Sequence, residues 1–150
     1  MIEDLIILEN DLNLWNDMQE QTFFSPCIAC HLYCHLLRLP LAKTYSANIL
    51  TGERKSHDGS IKVNQNNFVL NWFANFFTNN NYHFIKPLID VIDSNEIKII
   101  LKNLPFDVLN KENFISCSMQ SKRKTPDLNY AEIQSYLDLF LKPIMEEKYV

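Results

Sequence analysis

The stretch "SPCIACHLYCHLLRLP", residues 25–40, holds three of the chain's four cysteines and two of its four histidines. Ser25 has the side-chain acceptor of an N-cap, and Pro26 suits a first helical position, where the missing N–H would be unpaired anyway. Pro40 disfavours helical backbone at Leu39, so the spacing predicts a helix ending there, with the firmest boundaries in the chain. On its wheel His31, His35 and Arg38 form a polar stripe, while Ile28, Ala29, Leu32, Tyr33, Leu36 and Leu37 form a wide apolar face. A helix this apolar packs inside a protein, and Cys30 and Cys34 are expected at its border as small buried hydrophobes.

The surrounding sequence extends this reading to the whole chain. Only two glycines occur, Gly52 and Gly59, both in one connector. Sheet-rich folds need more turn residues of that kind, so helices are expected elsewhere. Leu5, Leu8, Leu12 and Trp15 place a helix over about Ile2 to Glu9, with continuation to Met18 as the alternative, and "NNFVLNWFANFF" reads as the central buried helix. A fourth segment follows from about Tyr82 to Ile92, and the neighbourhood of His83 in it reads helical. Ser94 is expected to cap another helix, and "FDVLNKENFISC" reads as a helix or an irregular packed segment. Asn129 with Glu132 resembles a capping box opening the last helix, which Pro143 ends or kinks. Asp58-Gly59 is a turn signal, so Asn48–Thr51 and Ser60–Val63 are expected to pair as a hairpin, with a long loop as the alternative. The expectation is an all-α or mainly α single domain of five to seven helices, with that hairpin or loop near residues 48–63.

Composition narrows the function classes. A 150-residue chain with 47% hydrophobic and 21% charged residues has the make-up of one folded globule. The net charge of −4 argues against nucleic acid as a partner, and the short basic run "SKRKT", residues 121–125, reads as a solvated loop. The opening "MIEDLIILENDLNLW" carries acids where a secretory signal carries positive charge, and no apolar run is long enough to span a bilayer. A cytoplasmic protein with reduced thiols and no membrane association is expected.

Three chemistries compete with the core-helix reading of residues 25–40. "CIACH" matches the haem c attachment pattern, but that attachment belongs to exported proteins. Cys27, His31, Cys34 and His35 share one arc of the helix, the arrangement of a metal-binding regulator, yet one helix alone cannot close a tetrahedron, and Cys117, His57 and His83 stand isolated. Cys27, near the helix N-terminus, sits where the macrodipole favours thiolate. With Gln21 six residues upstream it resembles the papain-like pairing of a nucleophile with an oxyanion-holding glutamine. That resemblance covers these two positions, and implies a cysteine-dependent hydrolase or transferase with His83 as base and Asp90 or Asp93 beside it. The family's other motifs are absent, as are a P-loop, G-x-G-x-x-G, H-E-x-x-H and G-x-S-x-G.

The remaining candidates are contact surfaces. "GERKSHDG" sets Arg54, Lys55 and His57 around a turn, where exposure is expected. Trp72 and Phe76, one helical turn apart in "NWFANFF", would line a groove for a partner helix if exposed. The function expected is therefore a non-enzymatic protein–protein interaction module of the adaptor, inhibitor or immunity type, using Trp72, Phe76, Arg54, Lys55 and His57. No cofactor is expected, and homodimerisation is left open.

Overall fold

The computed structural model describes residues 26–56, 58–103 and 129–149, together with positions 13, 16 and 17, which are helical. Helix dominates, as composition implied. The elements are α1 (Pro26–Leu36), α2 (Leu39–Tyr45), β1 (Ile49–Leu50), α3 (Asn67–Asn79), β2 (Phe84–Ile85), α4 (Ser94–Lys102), α5 (Tyr130–Tyr136), a π-helical turn (Leu137–Leu141) and α6 (Lys142–Tyr149). The expected count of five to seven helices is not confirmed. The last three stretches run on as one rod, and "FDVLNKENFISC", like most of the expected first helix, lies outside the described residues.

Local chemistry accounts for most boundaries. Pro40 occupies the first turn of α2, so α1 stops at Leu36 and the chain turns through Leu37 and Arg38 before helix resumes. Asn66 caps α3 by accepting from the Val69 N–H at 3.0 Å. Asp93, rather than Ser94, caps α4, since its carboxylate accepts from the Asn95 N–H. Asn129 accepts from the N–H groups of both Ala131 and Glu132, as expected of a cap. Pro143 does not end the last helix. It follows the π-helical turn, where Lys142 N–H bonds back to Leu137, and this locally widened turn carries the rod past a residue with no N–H.

The expected hairpin is replaced by a different pairing. β1 pairs in parallel with β2, Ile49 opposite Phe84 and Leu50 opposite Ile85, with α3 as the crossover. The backbone then stays in step: N–H groups of Ile49, Thr51, Lys55 and Asp58 donate to the carbonyls of His83, Ile85, Ile89 and Ile92. Each donor lies 34 residues before its acceptor (83−49, 85−51, 89−55 and 92−58). The connector is thus tied along its length to residues 83–92. Local turn chemistry at Asp58-Gly59 sets a bend, with Asp58 and Gly59 both at positive φ, but gives no partner strand at Ser60–Val63.

The core joins three helical faces. Ile28, Leu32 and Leu36 of α1, Leu70, Phe73 and Phe77 of α3, and Ile133, Leu137 and Leu141 of the C-terminal rod are fully buried. Phe84 of β2 stacks on Phe77 with ring centroids 5.0 Å apart, which seats one face of the small sheet on α3.

Candidate functional site around Glu53

The polar stripe of α1 turns toward the connector, with His35 buried and His31 half-buried. Its partner is Glu53, which the connector carries back over the helix and which is 4% exposed. His31 Nδ1 lies 2.6 Å from Glu53 Oε1, and His35 Nε2 lies 3.1 Å from the same oxygen. Gln65, in the turn before α3, donates through Nε2 to Glu53 Oε2 at 2.6 Å. Three segments far apart in sequence therefore converge on one carboxylate. Helical spacing explains why two histidines reach it, since residues i and i+4 lie one above the other on a helix.

Electrostatics follow from this geometry. Burial alone would raise the Glu53 pKa, but the hydrogen bonds from His31, His35 and Gln65 and the neighbouring His31 charge outweigh it and hold the carboxyl well below its usual range. Burial dominates at His35 and pushes its pKa down against the pull of Glu53. His35 is accordingly neutral, with its proton on Nε2 toward Glu53. Its Nδ1 has no hydrogen-bond partner and sits among the rings of Phe84, Phe73 and Phe77, at centroid distances of 4.9, 6.0 and 6.4 Å. Protonating that nitrogen would bury an unpaired donor, which is the physical reason for the low pKa.

Cys34 is exposed, contrary to the buried position expected for it. Cys30, one turn earlier, donates a hydrogen bond to it, and this is the largest of several effects that bring its pKa down to about 6. Partial burial and Glu53 oppose the shift, while the charges of His31 and Arg38 reinforce it. Arg38 is held in place by donating through Nη1 to the Leu50 carbonyl at 3.0 Å.

The other sequence candidates fall elsewhere. Cys27 is half-buried in the first turn of α1, and no hydrogen bond or ion pair joins it to His83. His83 is exposed at the entrance to β2, in a cleft of about 670 Å³ that it shares with Lys43, Asn48 and Asn79–Asn81. Gln21, His57 and Cys117 lie outside the described residues. Among the described residues no three His, Cys, Asp or Glu side chains are grouped so as to hold a metal ion. Arg54 is buried rather than exposed and donates to the Ile92 carbonyl, while Lys55 pairs with Asp90. Trp72 and Phe76 stack at 5.8 Å, Phe76 is buried, and Trp72 Nε1 donates to Asp138 of the C-terminal rod at 2.8 Å. Both rings are engaged inside the chain.

Glu53 and Gln65 escaped sequence reasoning because each sits in a polar stretch with no periodicity. One signal pointed to them: a polar stripe at i, i+4 and i+7 on an otherwise apolar helix needs a buried partner.

Comparison with known proteins adds one relation. The chain is 34% identical over 79 residues to Uncharacterized protein MJ0009 of Methanocaldococcus jannaschii. That stretch is 53% of this chain and spans only 29% of the length of the relative. No family model and no solved structure matches.

Proposed function

We propose that the chain is a non-enzymatic interaction module that docks a partner polypeptide on the uncovered face of its parallel sheet. The observation that carries this reading is the pair Leu50 and Ile85. They are direct neighbours across the two strands, 59% and 39% exposed, while the alternate residues Ile49 and Phe84 are buried. Parallel sheets are normally covered on both faces, because their strands are apolar on both. Here α3 covers one face, and among the described residues nothing covers the other.

The occupant that fits is an apolar helix face of a second polypeptide, packing as helices pack on parallel sheets. Two further observations support it. Helix α4, which follows the sheet, buries none of its residues and exposes Ile99 and Ile100. In the Methanocaldococcus relative, the similar stretch is embedded in a much longer chain, so there additional polypeptide is at hand to cover such a face. No helix among the described residues is long and apolar enough to cross a membrane.

The test is a photo-crosslinking residue at position 50 in the producing cell, followed by mapping of the crosslinked peptides. The reading expects one polypeptide crosslinked through an apolar helical segment, purified binding to it, and at least tenfold weaker binding by the Ile85→Asp variant. Crosslinks only to other copies of this chain, or none, would sink it.

A further inference from the structure

Docking on the sheet face leaves the Glu53 cluster without a task. Thr51 and Glu53 stand on the buried side of the extended connector, continuing the alternation in which Ile49 is buried and Leu50 exposed. The inward face of the parallel pair thus turns from apolar to polar at its carboxyl end, the end at which α/β sheets place ligands. Two side chains there are unsatisfied. Thr51, 7% exposed, and Asn64, 5% exposed and next to Gln65, have no side-chain hydrogen bond among the described residues. Buried polar groups in that state point to a guest that supplies their partners. Asn64 also lies two residues before the Asn66 cap of α3, a 13-residue helix whose Asn67 and Phe68 N–H groups have no acceptor among the described residues. That end of a helix suits phosphoryl oxygens.

His31 is the reactive group at this end. Its Nδ1 lies 2.6 Å from Glu53 Oε1, and Gln65 and His35 fix that carboxylate from other directions at 2.6 and 3.1 Å. The carboxylate holds the ring proton on Nδ1 and sets the lone pair on Nε2. Nothing among the described residues bonds Nε2, and it is open to solvent, the His31 side chain being 33% exposed. An imidazole oriented by a buried carboxylate, with its other nitrogen open, is the arrangement of an activated nucleophile.

We infer that His31 is a phosphoryl-accepting histidine: its Nε2 takes the phosphoryl group of small phosphoramidates or acyl phosphates, Glu53 positions the ring, and Asn64 with the α3 N-terminus seats the phosphoryl oxygens. With phosphoramidate, the Nε2 lone pair forms an N–P bond, the donor's own P–N bond breaks, and its electron pair leaves on ammonia. With an acyl phosphate the P–O bond breaks instead and a carboxylate leaves. Nothing is oxidised or reduced. The ring keeps its Nδ1 proton and gains positive charge, which Glu53 offsets through the hydrogen bond already in place. His35 cannot take this part, because its Nε2 faces Glu53 and its Nδ1 lies among the rings of Phe73, Phe77 and Phe84. The modification goes beyond docking on the sheet and does not depend on it.

The experiment treats the folded full-length chain with phosphoramidate at neutral pH, maps each histidine by mass spectrometry and assigns the modified nitrogen by phosphorus NMR, with the urea-unfolded chain as reference. The expected result is an Nε2 adduct on His31, formed about tenfold faster than on exposed His83 or on the unfolded chain, the factor that one charge-assisted hydrogen bond supplies. Glu53→Gln should remove that advantage and let an Nδ1 adduct appear. Because Glu53→Gln also weakens the fold, Asn64→Ala provides an independent arm. It removes an amide that bonds nothing among the described residues, so the urea midpoint should hold while phosphorylation slows about threefold. Carbethoxylation of the same nitrogen by diethyl pyrocarbonate, an uncharged reagent, should be unchanged in Asn64→Ala. Reaction of His31 no faster than of His83, an adduct on Nδ1 of the native chain, or a full advantage in folded Glu53→Gln protein would overturn the acceptor. Equal slowing of both reagents by Asn64→Ala, or of neither, would overturn the phosphoryl seat.

Discussion

The two sides of α1 are buried by different physics. On one side Ile28, Leu32 and Leu36 meet an aromatic and aliphatic core, with Phe73 and Phe77 of α3 fully buried. That contact is held by apolar area and is indifferent to pH. On the other side His31 and His35 meet Glu53, an ionised carboxylate held by three side-chain donors. Such a contact is specific, depends on every partner being present, and titrates. The same helix thus has a tolerant side and an exacting one.

The largest expected effect tests the tolerant side. Leu36→Ala removes a fully buried side chain from the apolar face of α1 and should cost about 3–5 kcal/mol in urea unfolding, with the same loss at pH 5 and pH 8. A loss that varied strongly with pH would erase the distinction between the two sides. Next, Glu53→Gln should cost roughly 2–3 kcal/mol at pH 7, since a neutral amide replaces a buried charge that three donors had satisfied. Because the folded-state pKa of Glu53 is depressed, its contribution is complete above the unfolded value of about 4.5 and declines below it. The penalty of the substitution should shrink in step, as measured by unfolding titrations from pH 7 to pH 3.

His35 sharpens the contrast at a smaller scale. Its folded-state pKa lies below 6.5, so the unfolded chain binds a proton first as pH falls, and stability should drop from about pH 6.5 downward. His35→Gln retains a donor for Glu53 without titrating, and should flatten that part of the pH–stability curve. A wild-type curve that is level between pH 5 and 7 would contradict the neutral, caged imidazole. Smaller still, Asn66→Ala should cost about 1 kcal/mol through loss of the α3 cap, checked by the shift in urea midpoint. The Lys55–Asp90 pair, with the carboxylate largely exposed, should contribute almost nothing, and Asp90→Asn should leave the midpoint within error.

The same contrast explains what could be read from the sequence. Apolar periodicity and local capping chemistry made α1, α3 and the last helix legible, with the Asn129 cap. The end expected near Leu39 falls at Leu36, however, and Pro40 sits in the first turn of α2 instead. The Glu53 cluster and the parallel pairing were not legible. Both depend on residues tens of positions apart, where no local preference records the partner. Asp58-Gly59 supplied a turn signal, yet the strand that Ile49–Leu50 joins lies beyond α3, and only the register of the assembled chain decides that choice. Cys34 shows the limit in another form. The wheel puts it at the border of the apolar face, but whether a border residue is covered depends on the neighbour, and among the described residues Cys34 stays exposed.

The constant 34-residue offset between the connector and residues 83–92 also bears on how the chain opens. Four backbone bonds spread over ten residues share one loop closure, and none can form until α3 has brought the two segments together. Amide protons of Ile49, Thr51, Lys55 and Asp58 should therefore exchange with solvent as one cooperative unit, with a common opening free energy, rather than fraying singly from an end. The Glu53 carboxylate rides on that unit, so each opening would release His31 and His35 together.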